Sequence, residues 1–196
     1  MLSDDQMREA LDAAMTDFVT AVEAIRPEQW GASSPCEGWT VHDVVDHVVL
    51  GDHFCVRVIS GASMSEAIEG LVGIDPDQSD VVGVVRGAAA DARTAFAGPL
   101  DREVDHPVGV IPARRFLGFR ILDQLGHAWD LQMAIRSQPV RLDQHAIDVA
   151  LQVAAAEREM LESSAHFATA PGDGGGVSGS MQQFLTAVGR RADWQP

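Results

Sequence analysis

The segment from Pro112 to about Arg136 constrains the fold more than any other part of the chain. A proline suits the first turn of a helix, and no further proline occurs before Arg136. Its apolar residues cover most faces of a helix, so the helix must be surrounded by other elements; they include Leu122, Leu125, Leu131 and Met133. We therefore predict that this is the longest and most central helix.

Capping signals predict the other helices. Ser3 with Gln6, and Thr40 with Asp43, form capping boxes, in which two side chains satisfy backbone N–H groups reciprocally. Asp143 is a further N-terminal cap. The predicted ranges run from Ser3 to Pro27, from Thr40 to about Ile59–Gly61, from about Ser79 to Phe96, and from Asp143 through Leu161, with a short terminal helix near 181–189.

Strand signals are nearly absent from the sequence, and it contains no internal repeat. The stretch "DREVDHPVGVI" (101–111) is predicted to be extended or irregular, and "GDGGGVSGS" (172–180) to be a linker. These features indicate an all-α helical bundle, a class that builds sites from side chains on facing helices. We expect residues 1–196 to form one domain.

Charge and composition exclude several classes of partner. The net charge of −15 repels nucleic-acid phosphates and anionic lipid surfaces. No apolar stretch is long enough for a membrane span, and the acidic N-terminus is unlike a signal peptide, so we expect a cytoplasmic protein. Cys36 and Cys55 form no disulfide or CxxC pattern. Any bound metal would therefore depend on histidines and carboxylates.

The central helix carries two polar residues among its apolar ones. In "ILDQLGHAWDL" (121–131), Asp123 and His127 are one turn apart on one face. A buried carboxylate is costly unless it is paired, hydrogen-bonded or bound to a metal. Two interpretations stay open for these residues alone: a hydrogen bond between Asp123 and protonated His127, or a metal site completed by a third ligand.

A third ligand has to come from the remaining histidines. His47 lies on a shoulder of the buried face of the second helix, whereas His42 and His53 lie on the opposite face. The other three, His106, His145 and His166, are expected at the surface. His47, Asp123 and His127 would suit zinc above all, or nickel or ferrous iron, and would leave one coordination position open.

Two segments carry a family resemblance. "SSPCEGWTVHDVVDHVV" (33–49) and "RILDQLGHAWDLQMA" (120–134) resemble the signature blocks of the DinB-like superfamily, in the actinobacterial branch related to the mycothiol-dependent maleylpyruvate isomerase N-terminal domain. The resemblance implies a four-helix bundle of the DinB/YfiT type, with metal ligands at His47, Asp123 and His127. It also implies a small-molecule thiol such as mycothiol as cofactor and a small electrophile as substrate.

The chain also departs from the family pattern. The isomerase has an additional C-terminal domain that 196 residues cannot contain, so we do not expect its reaction to be inherited. The stretch "GDGGGVSGS" stands where an apolar, proline-containing segment is expected.

Five other residues are candidates for a role near the site. Cys36 is either a reactive thiol, a fourth ligand or a small buried residue that fixes its loop. Trp39 and Trp129 are expected to be packing anchors, and either could also wall the pocket. Asp130 would orient His127 or pair with an arginine at the helix surface. Arg120 is a candidate to bind a cofactor or a substrate carboxylate.

Three functions compete at this point. The leading hypothesis is a metal-dependent thiol transferase or isomerase. A metal-dependent hydrolase would need a general base, for which Asp130 is the candidate. The third is a non-catalytic metal- or ligand-binding stress protein. The sequence leaves a homodimer open.

Overall fold

Helices dominate the computed structural model, which describes residues 2–74, 80–163 and 179–195. Within these residues a 3₁₀ turn at Pro27–Gln29 and a two-stranded hairpin accompany eight α-helices. The helices are α1 (Asp4–Glu23), α2 (Val41–Ile59), α3 (Met64–Glu69), α4 (Val81–Phe96), α5 (Ala113–Ala134), α6 (Gln144–Ala156), α7 (Arg158–Ser163) and α8 (Ser180–Ala187). The predicted all-α fold is confirmed.

The predicted helix caps are present. The hydroxyls of Ser3 and Thr40 accept hydrogen bonds from the backbone N–H groups of Gln6 and Asp43, and both capping boxes are complete. Asp143 caps α6. These caps replace intrahelical bonds that the first turn lacks, so they fix where each helix begins.

The four helices α1, α2, α4 and α5 form the bundle, and α6 packs on α1 and α5. Helix α5 is buried on nearly every side, as predicted, because it contacts α1, α2 and α6. Its position brings one of its faces against α2. Among the described residues, no helix is both long and apolar enough to cross a membrane.

The stretch predicted to be extended or irregular forms an antiparallel hairpin of β1 (Glu103–His106) and β2 (Gly109–Pro112). Val104 pairs with Ile111, and both side chains are buried in the core. Gly109 adopts a positive φ of 107°, which suits the tight connection. Each strand buries a single residue, so neither shows the alternation of buried and exposed residues that would have predicted it.

The last long helix is interrupted, which corrects the prediction of one helix through Leu161. Glu157 leaves helical geometry between α6 and α7, with φ −104° and ψ 14°. Its carboxylate accepts two hydrogen bonds from Arg115, of 2.7 and 2.6 Å. Leu161 is nevertheless buried, as expected. Residues 172–178 of the predicted linker and the predicted helix start at Ser79 lie outside the described residues, and α4 is capped by Asp80.

Candidate metal centre

The three predicted ligands converge between α2 and α5. The Nε2 atom of His47 lies 3.2 Å from Oδ1 of Asp123, and Nε2 of His127 lies 3.4 Å from the same oxygen. The two imidazole centroids are 4.9 Å apart. Two nitrogen donors from different helices therefore face one carboxylate oxygen.

This spacing fits a shared cation. Two ligand atoms about 2.0–2.2 Å from one transition-metal ion, at angles of about 90–110°, lie roughly 3–3.5 Å apart. The distances from Asp123 Oδ1 to the two nitrogens fall in that range. The donor atoms of all three residues lie within 4.8 Å of one another. Two imidazoles and one carboxylate are also a donor set that zinc accepts.

The ligands differ in their exposure to solvent. The side chain of His127 is 7% exposed, that of Asp123 is 18% exposed, and that of His47 is 42% exposed. His47 therefore lies at the mouth of the site rather than fully inward. The site is therefore exposed to solvent on the side of His47.

Arg120 sets the charge of Asp123. Its Nη1 donates a 2.7 Å hydrogen bond to Oδ2 of Asp123, and its Nη2 donates one of 2.7 Å to buried Asp52. Burial would raise the pKa of Asp123, but Arg120 and then His127 hold it well below its usual value. The carboxylate is thus ionised, and its Oδ1 is directed at the histidines. The guanidinium of Arg120 is already shared between two carboxylates.

A second ion pair lies behind His127. Its Nδ1 is 2.9 Å from Oδ2 of Asp130, and Arg190 donates to the same carboxylate from the end of the chain. Burial would raise the pKa of Asp130, but Arg190 and the hydrogen bond from His127 lower it to about 2. Asp130 therefore contacts both His127 and an arginine. Its side chain is fully buried, so the pair with arginine does not lie at the helix surface.

The loop before α2 covers the site. Trp39 stacks on His127 at a centroid distance of 6.0 Å and lies 4.9 Å from the ring of His47. Cys36 donates its S–H to Asp130 at 3.2 Å. Trp129 is buried in the hydrophobic core, as expected for a packing anchor. Trp39 therefore packs against both imidazoles, whereas Trp129 does not face the ligands.

Cys36, His127 and Asp130 form a second cluster with metal-ligand geometry. A cation there would have to sit against the guanidinium of Arg190, whose Nη2 lies 3.5 Å from the Cys36 sulfur and 2.8 Å from Asp130. Repulsion between like charges at low dielectric disfavours that arrangement. A guanidinium also contacts the other cluster, but Arg120 binds Oδ2 of Asp123, and Oδ1 stays directed at the two histidines. The cluster of His47, Asp123 and His127 is therefore the better candidate for a metal site.

The remaining described histidines lie away from the three ligands, and one of them, His106, is not at the surface as predicted. His42 pairs with Asp46 at 3.3 Å, and His145 is exposed, whereas His53 is half-buried on α2. His106 was expected at the surface, but the hairpin folds its ring against Phe116, 4.7 Å away between centroids. Burial, and then the charge of Arg115, lower the pKa of His106 to about 4. His166 lies outside the described residues.

Sequence reasoning missed two buried charges. Asp52 lies on the buried stripe of α2 between Val48 and Cys55. An acidic residue at such a position indicates a buried partner, since an unpaired buried charge is costly. Arg190 gave no such signal, because it follows α8 and meets Asp130 only through the tertiary fold.

Comparison with known proteins places the chain in a family. The model of the mycothiol maleylpyruvate isomerase N-terminal domain matches residues 11–132, which include all three candidate ligands. Uncharacterized proteins from two strains of Mycobacterium tuberculosis are each 33% identical over 124 residues, which cover 62% of this chain and 63% of theirs. The chain thus spans less than two thirds of the length of these relatives.

Solved structures show the same fold. The crystal structure of the mycothiol-dependent maleylpyruvate isomerase matches 80% of this chain and 69% of its own, with a TM-score of 0.60 and 18% identity. A variant of that enzyme with one histidine replaced by alanine matches 88% of this chain and 75% of its own, with a TM-score of 0.62 and 17% identity. The family match extends over more than half of the sequence, and the chain belongs to the mycothiol maleylpyruvate isomerase N-terminal domain family.

Proposed function

We propose that the protein binds one divalent transition metal, zinc above all, through His47, Asp123 and His127, and uses it in thiol-dependent transfer or isomerisation. The observation that carries this proposal is the convergence of two histidine Nε2 atoms on one oxygen of Asp123, at 3.2 and 3.4 Å. The mycothiol dependence of the structurally similar isomerase supports a small thiol as the cofactor. A small electrophile would be the second substrate.

The residues around the ligands prepare the site for an anionic donor. Asp52, Asp123 and Asp130 carry three negative charges, and Arg120 and Arg190 carry two positive ones. A bound dication would stabilise the thiolate form of an approaching thiol. The named groups together with that dication sum to one positive charge, which favours an anionic ligand.

Each neighbouring residue has a positioning task. Arg120 fixes the carboxylate of Asp123 through Oδ2 and leaves Oδ1 for the metal. Asp130 accepts a hydrogen bond from Nδ1–H of His127, so Nε2, which faces Asp123, is the nitrogen that would bind the metal. Trp39 packs on both imidazoles and excludes water from one side of them. The half-exposed edge of His47 leaves a path for a small molecule.

A hydrolase that uses Asp130 as general base receives less support. Both oxygens of Asp130 accept hydrogen bonds from Arg190, Oδ2 also accepts one from His127, and the pKa of about 2 makes the carboxylate a poor proton acceptor. Binding without catalysis remains the alternative that an assay must separate.

Cobalt substitution tests the proposal. A thiolate that binds the metal adds a sulfur-to-cobalt charge-transfer band, which water and carboxylates do not produce. We expect mycothiol or a simpler thiol to bring up this band with release of protons, and thiol-dependent turnover of an electrophile panel to follow. A cobalt-loaded protein whose spectrum does not respond to millimolar thiol would refute the thiol-dependent function and leave metal binding alone.

A further inference from the structure

Arg190 lies far along the chain from the three ligands, yet it contacts the group that orients one of them. We propose that Arg190 is a positioning residue: through Asp130 it holds the imidazole of His127 in the orientation that presents Nε2 to the metal. The segment that follows α8 would thereby set the metal affinity of a site built on α2 and α5. This inference rests on the metal site proposed above.

The ion pair between Arg190 and Asp130 has a specific geometry. Nε of Arg190 lies 3.0 Å from Oδ1 of Asp130, and Nη2 lies 2.8 Å from Oδ2. The side chains are 12% and 0% exposed, respectively. Such a two-point contact fixes the plane of a carboxylate as well as its position, which a single point charge does not do.

The fixed carboxylate then determines the orientation of His127. Oδ2 of Asp130 lies 2.9 Å from Nδ1 of His127, so Nδ1 carries the proton and donates it. The other nitrogen, Nε2, faces Asp123. A carboxylate behind a histidine ligand is a recurrent way to fix both its tautomer and its ring orientation. Here the carboxylate is itself fixed by Arg190.

The end of α8 is built to hold Arg190 in place. The backbone N–H of Arg190 donates to the carbonyl of Leu185, and that of Gly189 donates to the carbonyl of Thr186. Gly189 has a positive φ of 71°, which completes a Schellman motif at the helix end. Phe184, Leu185 and Val188 are buried in the core, so the motif is anchored there.

The opposing face of α5 leaves space for the guanidinium. A Cβ atom at Gly126 would lie 4.0 Å from Nη2 of Arg190, which is ordinary van der Waals contact, so a longer side chain would meet it. Arg190 also lies outside residues 11–132, the part of the chain that the family model matches. The contact therefore joins the family domain to a segment beyond the matched region.

Metal affinity separates a positioning role from a structural one. We would measure the zinc dissociation constant of tag-free protein by competition with a chelator, and the melting temperature of the metal-free form, for the parent, Arg190→Gln and Arg190→Lys. Arg191→Gln is the matched control, because Arg191 is exposed and pairs only with neighbouring Asp193 among the described contacts. We expect Arg190→Gln to weaken zinc binding about 10- to 100-fold, and Arg191→Gln to leave it unchanged.

The lysine variant keeps the test decisive if the glutamine variant does not fold. Lysine retains the charge but cannot contact both carboxylate oxygens in one plane, so we expect an intermediate loss of about 3- to 10-fold. Folded Arg190→Gln or Arg190→Lys that binds zinc within twofold of the parent would overturn the inference, even if its melting temperature falls. A parent protein that binds no zinc would instead refute the proposed function itself.

Discussion

Replacing Arg120 by methionine should destabilise the protein strongly. Arg120 is buried, and its guanidinium lies between Asp52 and Asp123, at 2.7 Å from each. Methionine fills similar space but leaves two carboxyl groups facing each other without a cation. Removal of one partner from a buried ion pair costs about 3–5 kcal/mol of unfolding free energy. For a chain of this size that corresponds to a fall in melting temperature of roughly 6–20 °C.

Differential scanning calorimetry of the metal-free protein measures this loss. Arg86→Met is the matched control, because Arg86 forms an exposed ion pair with Glu23, and such pairs contribute about 1 kcal/mol or less. Adding Asp52→Leu to Arg120→Met should recover part of the stability, since it removes a buried carboxylate that has lost its partner. A loss below about 1 kcal/mol in Arg120→Met would refute the assignment of Arg120 as a buried counter-charge.

Two further predictions concern the ligand set and the hairpin. Asp123→Asn should reduce the free energy of zinc binding by more than it reduces the free energy of unfolding, because the amide keeps the size of the ligand but not its charge. Equal zinc titrations for variant and parent would instead favour a hydrogen bond between Asp123 and His127 without a metal. The pKa of about 4 keeps His106 neutral in the fold while the unfolded chain takes up a proton below about pH 6.5, so stability falls as the pH drops from about 6.5 to 4. Since the ring is half-exposed, we expect the free energy of unfolding to fall by on the order of 1 kcal/mol between pH 7 and pH 5, as measured by urea unfolding. His106→Gln should abolish this fall, and an identical fall in the variant would contradict the assignment.

The helices could be predicted from the sequence because their signals are local. The capping boxes at Ser3 and Thr40 and the cap at Asp143 act within a single turn. The hairpin was not predicted, because its strands are short and depend on the burial of Val104 and Ile111 against the bundle. The last long helix was predicted without its interruption because that too depends on a distant contact. Glu157 leaves helical geometry at the end of α6 and pairs with Arg115 on α5.

Part of the candidate site could be predicted from local spacing, and part depends on contacts between distant segments. Asp123 and His127 could be paired from helical spacing, and His47 meets them from the edge of the buried face of α2, although its side chain is 42% exposed rather than turned inward as predicted. The ion pairs behind the ligands could not be predicted, because Arg190 meets Asp130 across 60 residues of sequence. Contacts of that kind depend on how α8 packs, which no local pattern encodes.

The most direct test of the metal centre is elemental analysis of protein purified without an affinity tag. We predict about one zinc, nickel or iron ion per chain for the parent and for His53→Ala, because His53 is not among the converging ligands. His47→Ala and His127→Ala should each lose the metal and keep a helical circular dichroism spectrum, since the core does not depend on the ion. A parent without metal, or metal retained in both His47→Ala and His127→Ala, would contradict the account.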